Sequence, residues 1–288
     1  MTDRLGDECL EFLENFGDNP FFLYLSFYTV HTPIQGCMKY DEEYRLKAEQ
    51  LPNKGERQIR PEHSAITRLN QSDNKYAAMV RSMDENIGRV IGKIEELGKT
   101  NNTIIVFTSD NGGLSTTPKS WQTPTSVLPF RAGKGWLYEG GIRVPLIIHT
   151  PDLKQKGTVC NSPVISMDFY PTLLELAGFK LKPEQHMDGK SIVPLLNQPE
   201  TEEERTLVWH YPHYHGSKWR LGSAIRKGNW KLVEFYEEDL VELYDLRTDM
   251  EEMKDLAPAM PEKAEELKKL MHIYIDERGG QYPEKIEN

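Results

Sequence analysis

The residues most suited to chemistry are an acidic and an amide side chain at the end of a short apolar run. Asp110 and Asn111 follow residues 103–107, which are typical of a buried strand, and two glycines come directly after them. Such residues are common in turns, because Asp and Asn bond to nearby backbone and Gly takes positive φ. Ligands of α/β proteins also collect beyond strand ends, and these side chains offer the hard oxygen donors that Ca²⁺ and Mg²⁺ take. FTSDNGG alone leaves both a turn and a cation site open.

Two further side chains could act on an anion beside such a cation. His31 lies in YTVHTP, after a second apolar run, and Lys134 lies in the glycine-rich RAGKGWLYEGG. A histidine can transfer a proton near neutral pH, and a lysine supplies fixed positive charge. Taken singly, His31 could be an ordinary loop residue and Lys134 an exposed lysine. With a divalent cation that polarises the bound group, they form the set of groups needed to hydrolyse a sulfate or phosphate ester.

Three histidines, at positions 210, 213 and 215, crowd the segment WHYPHYH. Their spacings of three and two residues fit no standard zinc pattern. Strand packing or a place at the rim of a substrate pocket accounts for them better. The cysteines, at positions 9, 37 and 160, lie far apart without a CxxC pair, so neither a zinc site nor a disulfide framework is indicated.

Length and composition favour a globular protein with one large domain or two unequal ones. The chain has 288 residues, of which 38% are hydrophobic and 28% are charged. A net charge of −10 and the lack of a Lys/Arg block argue against a nucleic-acid binder. No apolar run approaches the roughly 20 residues of a membrane-spanning helix, and the acidic start is not a signal peptide.

The elements that must position these side chains alternate between strand and helix up to about residue 200. Apolar runs predict strands at 21–27, 103–107 and 144–150. Three- and four-residue periodicity predicts helices at 5–16, 76–97 and 166–178. Residues 36–72 are mostly polar and predict a long surface excursion. This alternation predicts an α/β fold with a mainly parallel sheet sandwiched by helices.

After about residue 200 the pattern is that of antiparallel strands. TLVWHYP, GSAIRKGNWKLVEFY and LVELYDL predict such strands, with KGNW as a turn. Residues 261–275 carry apolar side chains at helical spacing. We therefore predict two domains, a main α/β domain over 1–200 and a small antiparallel α+β subdomain with a final helix over 201–288.

Four segments, in order, resemble the later motifs of the type I sulfatases, the formylglycine-dependent members of the alkaline-phosphatase-like superfamily. They are PFFLYLSFYTVHTP, YAAMVRSMDENIGRVIGKIEELGKTNNTIIVFTSDNGG, PFRAGKGWLYEGGIRVPLII and SMDFYPTLLELAG. SDNGG followed at this distance by GKGxxYEGGxRVP is a specific combination, and the resemblance covers nearly the whole chain. It implies a calcium-assisted sulfuric ester hydrolase, arylsulfatase-like, with residues 1–200 as the later part of its catalytic domain.

The resemblance also implies a role for each candidate residue. Asp110 and Asn111 match two ligands of the family's active-site calcium, for which magnesium could substitute. His31 matches the catalytic histidine that contacts the sulfate and the bridging oxygen. Lys134 matches the sulfate-binding lysine that helps to stabilise the leaving oxygen. His213 and His215 would border the pocket for the organic part of the substrate, which is compatible with a sulfated carbohydrate.

The chain departs from the family pattern at the nucleophile. The Cys/Ser-x-Pro-x-Arg motif that yields formylglycine is absent from the sequence, as is the early Asp-Asp strand end that supplies the other calcium ligands. We expect these groups upstream of Met1, in a longer protein of which this chain is a truncated part. Taken alone, the chain should bind calcium weakly, be inactive, and expose an unpaired sheet edge and apolar surface.

Two other functions remain open from the sequence. One is a phosphate or phosphonate ester hydrolase of the same superfamily, since the same cation and lysine would serve a phosphoryl group. The other is a non-catalytic protein that binds sulfated glycans. The family implies a periplasmic, extracellular or lysosomal location, whereas the chain itself predicts no compartment.

Overall fold

The structure is a computed structural model that describes residues 1–52 and 55–284. The helices are α1 (Thr2–Asn15), α2 (Met38–Glu49), α3 (Asn74–Glu96), α4 (Glu139–Ile142), α5 (Phe169–Leu176), α6 (Val193–Asn197) and α7 (Pro261–Asp276). The strands are β1 (Ile59–Glu62), β2 (Ala65–Arg68), β3 (Ile105–Thr108), β4 (Thr116–Thr117), β5 (Leu146–His149), β6 (Thr206–Tyr211), β7 (Gly222–Lys227), β8 (Trp230–Phe235) and β9 (Leu240–Asp245). Within the described ranges, no helix is both long enough and apolar enough to cross a membrane.

The helices α1 and α3 confirm the periodicity of the sequence and pack against each other. Their contact is built from Cys9, Leu13, Val90 and Ile94. Asp73 caps α3, because its carboxylate accepts a hydrogen bond from Tyr76 N at 3.0 Å. The helix α3 therefore starts and ends where its sequence signals place it, and a glycine with positive φ follows its last turn.

The strands of the main domain pair differently from the prediction. Every strand pair in the part of the chain that the structure describes is antiparallel, including β3 with β5, where Thr108 lies opposite Leu146. The segment 21–27 is extended but belongs to no ladder. A parallel ladder needs a neighbouring strand with free N–H and C=O groups. The alternation of apolar strand-like runs and helices in the sequence indicates which segments are extended. It does not show which strand, if any, lies beside each of them.

The segment 21–27 has one packed face and one open face. Phe21, Leu23 and Leu25 pack on the cluster between α1 and α3. Phe22 and Tyr24, on the other face, are 79% and 81% exposed. This period of two is that of a strand, and the uncovered apolar surface expected from the sequence is present on this face.

The predicted surface excursion over 36–72 is wrong in two places. The helix α2 packs on α3, where Lys39 Nζ lies 2.6 Å from Glu85 Oε1. The hairpin β1–β2 is partly internal, with Glu62 and Arg68 buried. A polar composition suggested exposure, but these charged side chains are buried with partners, and paired charges can be accommodated inside a protein.

The antiparallel sheet β6–β7–β8–β9 confirms the prediction for the last third of the chain. Lys227 lies opposite Trp230 across the predicted turn. One cluster joins this sheet to α7, and another joins it to the glycine-rich segment around Trp136 and Tyr138. The proposed boundary at residue 200 stays a prediction, and a shared core lies across it.

Candidate functional site

The loop that follows β3 carries Asp110 and Asn111. Turn chemistry is present, because Asn111 N donates a hydrogen bond to Asp110 Oδ1 at 2.9 Å. However, Asn111 Oδ1 is buried and has no hydrogen-bond partner within residues 1–52 and 55–284. A buried acceptor without a partner is rare and calls for an explanation. A cation ligand is such an explanation, and the exposed carboxylate of Asp110 is next to it in the chain.

The loop meets the glycine-rich segment backbone to backbone. Gly112 N donates to Gly141 O at 2.9 Å, and Lys134 N donates to Gly113 O at 2.9 Å. A Cβ atom on Gly112 would lie 1.8 Å from Gly140 O, so only glycine allows this approach. The structure therefore brings the Asp110–Asn111 loop and the Lys134 loop together, as the resemblance implies.

The glycine-rich segment is anchored on its other side by large buried side chains. Trp136 Nε1 donates to Ser217 O at 3.1 Å, and the Tyr138 hydroxyl donates to a Glu242 carboxylate oxygen. Trp136 also contacts the ring of Trp219 edge-on, at 5.8 Å between centroids. The antiparallel sheet and its loops thus fix the backbone that carries Lys134.

Of the predicted rim histidines, His215 lies beside Lys134. Its ring occupies the space that a side chain at Gly135 would fill, because a Cβ atom there would lie 2.1 Å from His215 Nδ1. Ser217 N donates to Nδ1 at 3.1 Å, which leaves the proton of the neutral ring on Nε2. Burial, and after it the charge of Lys134, lower the pKa of His215, which favours the neutral ring at neutral pH. His213 is exposed and contacts the ring of Tyr211.

His31 has local contacts. Its Nδ1 lies 2.7 Å from Thr32 O, and its ring is exposed. In the described part of the chain, no hydrogen bond or ring contact joins His31 to Asp110, Asn111 or Lys134. The catalytic role implied for His31 therefore stays a prediction.

The donors present fit a hard cation only in part. Asp110 and Asn111 offer two oxygen donors, whereas Ca²⁺ takes six to eight ligands. Among residues 1–52 and 55–284, no group of three or more His, Cys, Asp or Glu side chains could hold a metal ion. The weak calcium binding expected for this chain therefore stays a prediction.

Sequence reasoning missed a buried charged triad behind the glycine-rich segment. Lys231 Nζ lies 3.0 Å from Glu139 Oε1 and 2.8 Å from Glu252 Oε1. Glu252 Oε2 accepts a hydrogen bond from Glu139 N at 2.6 Å. All three side chains are at most 2% exposed. The available signal was a lysine at the second position of the strand WKLVEF, between two apolar residues, where burial is costly unless an acidic partner faces it.

The triad leads to a prediction about pH. Burial raises the pKa of Glu252 to about 7, Lys231 opposes this rise, and Glu139 adds to it. The folded state therefore keeps a proton that the unfolded chain has lost above its ordinary pKa, and this contribution to stability disappears as pH rises towards 7. Relative to wild type, Glu252→Gln should gain on the order of 1–3 kcal/mol in free energy of unfolding between pH 5 and pH 8.

Urea unfolding at a series of pH values measures this difference. Glu251→Gln, at the exposed neighbouring position, is the control and should follow the wild-type pH dependence. Parallel curves for Glu252→Gln and wild type would show that Glu252 does not retain its proton.

Comparisons with known proteins identify the family of the chain. Residues 1–179 match the Sulfatase family, and residues 132–278 match the family N-sulphoglucosamine sulphohydrolase, C-terminal. The chain is 34% identical to a Sulfatase of Formosa agariphila over 281 residues, which cover 91% of the chain and 46% of that protein. It is 33% identical to Arylsulfatase J of Mus musculus, with 74% of the chain and 33% of that protein covered.

Solved structures agree with the fold. The structure of Ps i-CgsB in complex with k-i-k-neocarrahexaose has a TM-score of 0.71 at 28% identity, covering 95% of this chain and 54% of that one. BT4656 in complex with its substrate D-glucosamine-2-N,6-O-disulfate has a TM-score of 0.58 at 29% identity, covering 70% and 40%. The chain spans about half the length or less of these proteins. The similarity confirms the predicted α/β, alkaline-phosphatase-like fold. The chain belongs to the sulfatase family.

Proposed function

We propose that this chain supplies the cation-assisted, sulfate-binding part of a sulfatase active site, which hydrolyses sulfuric esters of carbohydrates. The observation that carries the proposal is the direct contact between two loops, through the hydrogen bonds Gly112 N to Gly141 O and Lys134 N to Gly113 O. This contact brings the backbone that carries Asp110 and Asn111 next to the backbone that carries Lys134.

Each group at this place has a chemical task. Asp110 and Asn111 hold a divalent cation, Ca²⁺ with Mg²⁺ as the other candidate. When bound, this cation neutralises and polarises the sulfate group. The Lys134 ammonium contacts a sulfate oxygen and stabilises the charge that develops on the leaving oxygen. Its backbone is fixed before the substrate binds, so little reorganisation is needed.

His31 is proposed to give a proton to the leaving oxygen. Thr32 O lies 2.7 Å from its Nδ1 and can only accept, so Nδ1 carries a hydrogen. Nε2 is then the nitrogen available to take up and release a proton. This role requires the exposed segment around His31 to approach the substrate.

The rim histidines are proposed to recognise the sugar. His215 holds a neutral ring beside Lys134, with Nε2–H available to a sugar oxygen, and the exposed His213 follows Tyr211 on the same loop. Carbohydrate is the class of substrate or ligand in two similar structures, Ps i-CgsB with k-i-k-neocarrahexaose and BT4656 with D-glucosamine-2-N,6-O-disulfate. A sulfated carbohydrate is therefore the substrate class that we propose.

The nucleophile is proposed to lie outside this chain. None of the cysteines or serines stands in Cys/Ser-x-Pro-x-Arg, the motif that the family converts to formylglycine. The 288-residue chain should therefore bind sulfate and calcium without turnover. Activity would require the formylglycine and the remaining calcium ligands.

Titration calorimetry on the whole chain tests this function. Calcium and inorganic sulfate should each raise the affinity of the other, because the two bind side by side with opposite charge. Lys134→Met should weaken sulfate binding and leave calcium binding in place, whereas Asp110→Ala should weaken both. Lys119→Met and Asp152→Ala, at exposed positions, are the matched controls.

Three outcomes would contradict the proposal or parts of it. Steady release of product from an aryl sulfate would show that the chain has a nucleophile of its own. Sulfate binding that is insensitive to Lys134→Met would place the anion elsewhere. Inorganic phosphate bound much more tightly than sulfate would favour the phosphate ester hydrolase.

A further inference from the structure

The buried triad Lys231–Glu139–Glu252 lies behind the loop that carries Lys134. Glu139 begins the short helix α4, five residues after Lys134. Lys231 belongs to β8, an inner strand of the antiparallel sheet. Glu252 lies in the turn after β9 and has positive φ of 53°. The triad therefore connects the antiparallel sheet with the glycine-rich segment.

Stability alone is a poor explanation for such a triad. Burying one ammonium and two carboxyl groups carries a desolvation penalty that well-packed apolar side chains would avoid. Ion pairs and hydrogen bonds are directional, however, and apolar contacts are not. Glu139 is held at both ends, because Lys231 binds its side chain and Glu252 accepts its backbone N–H. The arrangement fixes the position and orientation of one turn.

This turn leads directly to the candidate cation site. Gly141, two residues after Glu139, accepts the hydrogen bond from Gly112 N at 2.9 Å. Gly140 N donates to Arg131 O at 2.9 Å, which closes the segment that carries Lys134. Gly112 is bonded to Asn111. A continuous series of hydrogen bonds and covalent bonds therefore runs from the triad to both the cation ligand and the lysine.

We propose that Lys231 and Glu252 are positioning residues that act through Glu139 to set the distance between Lys134 and the Asp110–Asn111 pair. Neither side chain contacts the anion or the cation. The inference rests on the proposed function for its consequence, the affinity for sulfate, and on the geometry alone for its cause, the placement of the turn. The two parts can be measured separately.

The decisive variants differ in whether they keep an acceptor for Glu139 N. Glu252→Leu removes that acceptor and should weaken sulfate binding in the presence of calcium by about 10- to 100-fold, the effect typical of residues that orient a ligand-bearing group. Glu252→Gln keeps an oxygen at this position and should bind sulfate within about threefold of wild type, on the same scale. Rescue by the conservative variant would separate positioning from a general loss of structure.

A matched control lies on β8, the strand that carries Lys231. Glu234 is a buried carboxylate of β8 that pairs with Lys268 at 2.9 Å and His272 at 2.6 Å, away from the glycine-rich segment. Glu234→Leu should destabilise the fold in the same manner while leaving sulfate affinity of the folded protein unchanged. Equal losses of affinity in Glu234→Leu and Glu252→Leu would overturn the proposal.

A spectroscopic measurement tests the cause without any ligand. The backbone amide resonances of Gly112 and Gly113, recorded in the whole chain labelled with ¹⁵N, should shift in Glu252→Leu and stay in place in Glu234→Leu. Unshifted amides in a folded Glu252→Leu protein would overturn the proposal. If wild type binds no sulfate and these amides still shift, the positioning role stands and the proposed function fails.

A milder variant guards against misfolding. Glu139→Gln keeps the length of the side chain and removes the charge that attracts Lys231. It should fold, shift the Gly112 amide by less than Glu252→Leu does, and weaken sulfate binding by a few-fold, below the range for full removal. Wild-type Gly112 and Gly113 amides in folded Glu139→Gln would count against the proposal as directly as in Glu252→Leu.

Discussion

Replacing Gly112 by alanine is expected to push the two loops of the site apart and to remove the coupled binding of calcium and sulfate. The new Cβ atom would lie 1.8 Å from Gly140 O and 2.8 Å from Gly140 C, and both are backbone atoms that cannot rotate away. The hydrogen bond from Gly112 N to Gly141 O would break as the loops separate. We expect sulfate affinity to fall by at least about tenfold and stability to fall by about 1–3 kcal/mol.

Calorimetry with sulfate in the presence of calcium measures the first effect, and urea unfolding measures the second. Gly92→Ala is the matched control, because nothing lies within 4 Å of a Cβ atom at this exposed position of α3. Alanine there should stabilise the helix by up to about 1 kcal/mol and leave binding unchanged. Wild-type sulfate affinity in Gly112→Ala would mean that the approach of the two loops is not what forms the anion site.

Replacing Asp168 by alanine is expected to cost about 3–5 kcal/mol in free energy of unfolding, the cost of breaking a buried, hydrogen-bonded ion pair. Asp168 is fully buried and forms a bidentate pair with Arg205. It also accepts hydrogen bonds from Ile165 N at 2.9 Å and Lys190 N at 3.0 Å. One carboxylate thus joins three points of the chain, and its loss would leave the Arg205 charge and two backbone donors unpaired.

Urea unfolding monitored by circular dichroism measures this loss. Asp188→Ala is the control, because Asp188 pairs with Arg278 at 3.0 Å with both side chains largely exposed, and such pairs contribute about 0–1 kcal/mol. Within residues 1–52 and 55–284, no hydrogen bond or ion pair joins the Asp168 side chain to the loops of the candidate site, so folded Asp168→Ala protein should bind sulfate as wild type does. If Asp168→Ala lowers the free energy of unfolding by less than Asp188→Ala does, the ion pair between Asp168 and Arg205 is not the main interaction that stabilises this part of the chain.

Gly112 and Asp168 differ in whether the sequence reveals their role. The glycine at position 112 belongs to a motif that is legible in the sequence, because SDNGG and GKGxxYEGGxRVP occur together at the family's distance. The role of Asp168 is not legible, because SMDFYP predicts only the start of a helix. Its partners at positions 190 and 205 lie 22 and 37 residues further on.

Local patterns alone determined the helices α1, α3 and α7 and the meander β6–β9. Each depends on interactions between residues close in sequence, such as apolar side chains three and four apart or a two-residue turn. The identities of Asp110, Asn111 and Lys134 as candidates were also readable, because they stand in short motifs. Their approach was implied by the resemblance, and the contact between the loops was found in the structure.

Only the tertiary structure decided how these pieces meet. The direction of pairing between β3 and β5, the burial of Glu62 and Arg68, and the ring of His215 against Gly135 all depend on neighbours far along the chain. The same holds for Lys231, which can be buried in a strand because Glu139 and Glu252, both distant in sequence, pair with it in the folded structure. Short-range geometry favours particular helices and strands. The burial of a polar group and its pairing depend instead on which distant segment of the chain covers it.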